Sequence, residues 1–277
     1  MLFQAGSANL QMDSTRLAWE QFVSRGVLDP AGVRPFVAMA WQRSAAAGCD
    51  ARQAKARVLS SDDTMELLKG ESALIDTASP FLSALSRAAG RERHAAMLGD
   101  RHGRVLKIVG DADTMADVNF PRAGSLLSEA TAGANGIGTA LAARCYVELV
   151  GPEHYIEGFH VFTCQGVPLL SPAGDPAGVL SMSVRRQETA AKVRDILVCA
   201  TQATECELLA EQLSDRLSMP APFDELVESL RLDVVHRINL ARLQLEQAAH
   251  RIAAGLNTQE TIQTAQQLVR KFRHAAS

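Results

Sequence analysis

Charge imbalance, aromatic side chains, paired cysteines and long apolar runs are all scarce in this chain, and each shortage excludes something. No apolar run reaches the ~18 residues that a bilayer-spanning helix needs. Lys and Arg number 28 against 31 Asp and Glu, a net charge of −3. That balance leaves no global electrostatic footprint for nucleic acid or an anionic membrane surface. The five cysteines, at 49, 145, 164, 199 and 206, are odd in number and irregular in spacing, which argues against a disulfide framework and for a reducing, cytoplasmic setting. Neither a GxxxxGKS/T phosphate loop nor a GxGxxG after a strand is present, so no nucleotide cofactor, and no other cofactor, is implied. Residues 1–12 lack the basic region and apolar core of a signal peptide and read as a disordered tail or an expression remnant.

What is present is 277 residues, 47% of them apolar and 21% charged, enough for one large or two modest globular domains. Helical spacing and stop signals predict helices over 14–25 (capped by Asp13 or Ser14, ended by Gly26), 33–47, 50–60 and 62–69 (capped by Asp62 or Asp63). A longer helix over 71–90 should be kinked or divided by Pro80. Trp41 reads as a packing anchor. The period then changes to that of strands: 94–110 reads as strand, turn, strand, with Asp100–Gly103 as the hairpin turn, and 145–150, 159–164, 167–170 and 179–184 follow. Residues 111–128 read as a short helix or loop interrupted by Pro121. From 187 the pattern is helical again, with one long helix over 188–217. Beyond Pro220 and Pro222 an apolar stripe from Phe223 to Leu245 and a last helix over 258–274 predict a hairpin that docks or dimerises. The expected organisation is a helical segment over 13–69, an α+β sensor domain over 70–187 and a helical signalling region over 188–277.

The most structured stretch runs from Glu129 to Ser183. Gly133, Gly136 and Gly138 break the backbone just before a short apolar helix, a turn that either cradles a ligand or simply packs tightly. Glu129, Gly133, Asn135, Ile137, Gly138, Thr139, Ala140 and Leu141 match E-x-x-x-G-T-N-x-I-G-T-A-L. Gly151-Pro-Glu153-His154-Tyr155 matches G-x-E-H-F/Y, and Cys164, Pro168 and Gly178-Val179-Leu180 follow. Upstream, Trp41-Gln-Arg43-Ser44 matches S-W-x-R-S/C. On these residues, over about 30–187, the chain resembles the GAF-domain sensor region of the acetoin catabolism regulator type, found in sigma-54-dependent transcriptional activators. It departs at Ala134, where Thr is usual, and at Gln165-Gly-Val, where Ser-Ala-Ala is usual.

The resemblance implies an antiparallel GAF-like sheet with flanking helices and a small-molecule cavity beside the His154–Cys164 segment. Glu129, Asn135, Gly138, Thr139, His154, His160, Phe162 and Cys164 are then the expected ligand-binding residues, giving a few directional hydrogen bonds inside apolar walls. Other readings stay open. His154, His160 and Cys164, spaced H-x5-H-x3-C, are the one close group of metal-ligand types, though strand alternation works against them. Cys164 with a histidine base and Cys145 as resolving thiol is the enzymatic alternative. His236 sits in a segment faintly similar to a phosphoacceptor helix; a solvent-exposed helix histidine is the plainer reading. No Walker motif and no basic helix-turn-helix occurs. The chain is therefore expected to be either a fragment ending after a linker or a stand-alone sensor, the final hairpin favouring the latter.

The expected function is a cytoplasmic, non-enzymatic regulator. It takes a small organic effector (ketone, alcohol or diol), forms a homodimer, acts through a regulatory protein partner, and contacts neither nucleic acid directly nor a membrane. A non-ligand-binding dimeric adaptor is the competing class.

Overall fold

A computed structural model describes residues 2–28, 32–171, 174–185 and 187–217. The chain divides into two units, Met1–Leu208 and Leu209–Ser277; the sheet and the helices packed on it belong to the first. The hairpin expected beyond Pro220, and His236 with it, lie outside the described residues.

Four helices come first: α1 (Leu2–Arg25), α2 (Pro35–Ala46), α3 (Ser61–Gly70) and α4 (Ser72–Ala89). Then come β1 (His94–Asp100), β2 (Val105–Gly110), α5 (Ala112–Ala116), α6 (Glu129–Ala132), α7 (Gly136–Ala143), β3 (Val147–Val150), β4 (Thr163–Leu170), β5 (Pro176–Val184) and α8 (Gln187–Leu217). The strands form one five-stranded antiparallel sheet in the order β2-β1-β5-β4-β3. The expected α+β, GAF-like sheet with flanking helices is what the chain forms.

Strand alternation divides the core into two layers. Met97, Val147, Leu149, Cys164 and Val179 face α1, α2 and α7, together with Trp19, Trp41 and Ile137. Leu98, Val167, Leu180 and Met182 face the other way, onto Leu82 and Leu85 of α4 and Val193 and Leu197 of α8. The Asp100–Gly103 turn closes as expected: the Asp100 carboxylate accepts from the amides of His102 (2.9 Å) and Arg104 (2.7 Å), and Gly103 has φ +76°.

Several local expectations are corrected. Residues 2–12, read as a tail, continue α1 toward the amino terminus; no proline interrupts the run, and Gly6 alone does not stop it. Residues 50–60 are not a helix. Their carbonyls are taken by distant amides instead: Ala51 by Glu157 (2.9 Å), Gln53 by Gly158 (3.1 Å) and Arg57 by Leu126 (2.8 Å). The cap of α3 is Ser60, whose hydroxyl accepts from the Asp63 amide at 3.1 Å. Pro80 lies inside a continuous α4. The strand expected from Phe159 begins only at Thr163, because Glu157–Phe159 is a 3-10 turn. Across residue 69, α1 and α2 share one apolar layer with the sheet; across residue 187, Val193 and Leu197 of α8 share the other.

Candidate functional site

α7 lies across β4 and β5, and its start is built by Asn135. The Asn135 carboxamide oxygen accepts from the amides of Ile137 and Gly138, both at 2.9 Å. Its nitrogen donates to the carbonyls of Leu127 (2.8 Å) and Gly133 (2.7 Å). The Thr139 hydroxyl accepts from the Asn135 amide at 3.1 Å. Gly138 passes so close to the Leu127 carbonyl and Glu129 amide that no side chain fits there. At Gly166 an added Cβ would collide with the Gly136 carbonyl. The N-terminal turn of α7 is thereby pressed onto β4.

Beside that contact, between α7 and the sheet, is a cavity of about 20 Å³, room for roughly one water molecule. Its walls include Met97, Phe120, Ile137, Phe159 and Phe162, and its polar floor is Cys164, Ser181 and Ser183. Ser181 donates to the Gln165 carbonyl (2.6 Å), leaving its oxygen free to accept. Ser183 and Cys164 share one hydrogen bond at 3.1 Å. When the thiol donates there, the Ser183 hydroxyl hydrogen is left for a bound molecule. Among the described residues, no Lys, Arg, Asp or Glu lines the cavity.

Of the eight expected ligand-binding residues, the cavity lining contains Asn135, Phe162 and Cys164. The others lie outside it, with partners of their own. Glu129 is bidentate to Arg43 of α2, at 2.6 and 2.8 Å. Gly138 and Thr139 belong to the α7 turn described above. His154 is fully buried; its Nδ1 donates to the Gly151 carbonyl at 2.9 Å and its Nε2 has no hydrogen-bond partner among the described residues. Burial pushes the His154 imidazole down to about 4. His160 contacts the His154 carbonyl at 3.2 Å and stands edge-on to Trp19, with ring centroids 4.6 Å apart; burial lowers its pKa too.

The motifs that carry the sequence resemblance therefore interlock. Trp41 Nε1 donates to the Glu153 carbonyl (2.8 Å), Arg43 holds Glu129, and Glu153 binds Arg34 and the Val150 amide (2.8 Å). What sequence reasoning missed is the floor and most of the wall: Ser181, Ser183, Met97, Phe120, Ile137 and Phe159. The one signal for the serines was their alternation, Ser181 and Ser183 sharing a face of an otherwise apolar strand.

Two chemical alternatives can be compared with this geometry. Among the described residues no three His, Cys, Asp or Glu side chains gather where a metal ion could be held. Cys164 is paired with a hydroxyl, and burial pushes its thiol up to about 12. That environment keeps the sulfur protonated at neutral pH, opposite to what a nucleophile requires.

Over residues 11–205 the chain matches the family described as "MimR, N-terminal domain". The acetoin dehydrogenase operon transcriptional activator AcoR of Bacillus subtilis is 30% identical over 211 residues, covering 75% of this chain and 35% of that protein. The propane 2-monooxygenase operon transcriptional activator MimR of Mycolicibacterium goodii is 31% identical over 169 residues, covering 60% of this chain and 28% of that one. The chain spans about a third of the length of these curated relatives. Among solved structures, the E. coli DhaR(N)–DhaL complex aligns with a TM-score of 0.61 at 16% identity, over 66% of this chain and 64% of that chain, a likeness of fold. With the family match running from α1 through the sheet into α8, the chain belongs to the MimR N-terminal domain family.

Proposed function

We propose that this chain is the effector-sensing region of a bacterial transcriptional activator of the sigma-54-dependent kind, acting in the cytoplasm. The observation that carries the reading is the cavity between α7 and the sheet, apolar in its walls and hydroxylic in its floor. A site without an ionised side chain suits a small uncharged molecule with one or two hydrogen-bonding groups: a ketone, alcohol or diol. The Ser183 hydroxyl donates to its oxygen and Ser181 accepts from a hydroxyl if one is present. Binding enlarges the cavity and biases the packing of α7 and α8. The effector shifts that equilibrium only by its differential affinity for the two packings, typically about 1–3 kcal/mol. Output then passes through α8 and the residues after it to a second copy or a regulatory protein.

A thermal-shift screen of small ketones, alcohols and diols, with short carboxylates and divalent metals alongside, tests this, because a ligand specific for the native state raises the melting temperature with saturation. The expected result is a shift with an uncharged compound that Ser183→Ala abolishes. Shifts with carboxylates alone would overturn the assignment of chemistry. One observation favours a second reading: a cavity of about 20 Å³ suits an adaptor with a closed core, and silence across the screen would select it.

A further inference from the structure

The cavity is bounded on one side by the segment 117–122, between α5 and α6. Phe120 and Pro121 of this segment line it. The main-chain hydrogen bonds of the segment are local: Asp117 to Thr114 (3.3 Å), Phe120 to Asp117 (3.1 Å) and Arg122 to the Ser125 hydroxyl (2.9 Å). It can therefore swing as a unit without breaking a ladder. Its attachments to the rest of the molecule are side-chain contacts. The Phe120 ring stands edge-on to Phe162, centroids 5.2 Å apart. The Asp117 carboxylate meets the Arg185 guanidinium at 3.5 Å, and that guanidinium lies 4.9 Å over the Phe162 ring. Arg185 stands two residues ahead of Gln187, the first residue of α8. Its main-chain amide donates to the Arg93 carbonyl at 3.3 Å, while its Nε is buried without a hydrogen-bond partner among the described residues, so the guanidinium is held chiefly by Asp117 and Phe162.

We propose that residues 117–122 are the lid of the cavity, that the Asp117–Arg185 pair is its latch, and that releasing the latch loosens the first turns of α8. Entry of a molecule larger than water requires the lid to lift, since a cavity of about 20 Å³ has no room for one. Lifting it carries Asp117 away from Arg185. The strand–helix junction then loses a contact that fixes where α8 begins. Site occupancy is thereby read at the base of the helix. The proposal rests on the effector-site reading, but its test needs no effector.

Cys164, in the cavity floor, reports on the lid. In a full-length variant carrying Cys164 as its only thiol, labelling by methyl methanethiosulfonate proceeds at a rate set by the open population. Removing a partly exposed ion pair should raise that rate about two- to fivefold in Asp117→Asn, with the urea midpoint nearly unchanged. Arg185→Gln should do the same, and the double variant should go no further than either single one. Phe120→Ala should accelerate labelling more. Hydrogen exchange at residues 190–194 should rise in parallel. Labelling unaffected by Asp117→Asn overturns the latch. Faster labelling with unchanged exchange in α8 overturns the coupling. If labelling and exchange respond while the thermal-shift screen stays silent, the effector reading fails and the lid stands.

Discussion

Asn135 shows how much local structure one side chain can build. Its four hydrogen bonds are all internal, so nothing remains for a ligand. Asn135→Ala removes a helix cap and strands two carbonyls, and should cost about 2–3 kcal/mol of stability; an unchanged urea midpoint would contradict that. His154 makes stability depend on pH. Its folded pKa, about 4, lies below the ordinary value near 6.5. The unfolded chain thus binds the proton more readily through this window. The contribution is fully present above about pH 6.5 and is lost as pH falls toward 4, by about 2 kcal/mol between pH 7 and pH 5. His160 slopes the same way. In His154→Gln the urea midpoint should fall less steeply over that range than in the parent chain.

Two close approaches fix the elements. Gly166 lets the start of α7 lie directly on β4, since a Cβ there would meet the Gly136 carbonyl and Ala140. Gly166→Ala should destabilise by about 2–3 kcal/mol and displace α7, visible as altered near-ultraviolet circular dichroism. The outer edge of β3 is closed by side chains. Arg34 donates to the Glu148 carbonyl at 2.6 Å, and Glu153, paired with Arg34, accepts from the Val150 amide at 2.8 Å. An edge strand left open is a template for pairing with another chain. Glu153→Ala leaves the partly exposed Arg34 without its partner and the Val150 amide unpaired; it should lower stability by about 1–2 kcal/mol and produce concentration-dependent association by light scattering.

At the scale of the molecule, the amino-terminal helices are part of the same core as the sheet. Trp19 donates to the Tyr155 carbonyl and Trp41 to that of Glu153, each at 2.8 Å and both indoles buried. Arg34 and Arg43 form ion pairs with the nearly buried carboxylates Glu153 and Glu129. A chain beginning at residue 70 would leave both carboxylates unpaired and an apolar layer bare. It should lack the cooperative urea transition expected of the intact chain, a result checked by fluorescence and circular dichroism together. The described helices include none long and apolar enough to cross a membrane.

The sequence alone determined the period changes that separate helices from strands, the Asp100–Gly103 turn, the long helix after residue 187 and the resemblance that named the fold class. These are local quantities: spacing, caps, and glycines at sharp turns. Tertiary structure decided the rest. Residues 50–60 have helical composition, yet distant amides take their carbonyls. Glu129 looks like a ligand donor in a row of letters, but Arg43 engages both of its oxygens, whereas the Gly151 carbonyl takes only the Nδ1 side of His154. Ser181 and Ser183 carry no motif, and only the pairing of β4 with β5 sets them beside Cys164 under Ile137. A hydrogen-bonding group is available to a ligand only when no nearer partner has claimed it, and which partner is nearer is fixed by the folded chain.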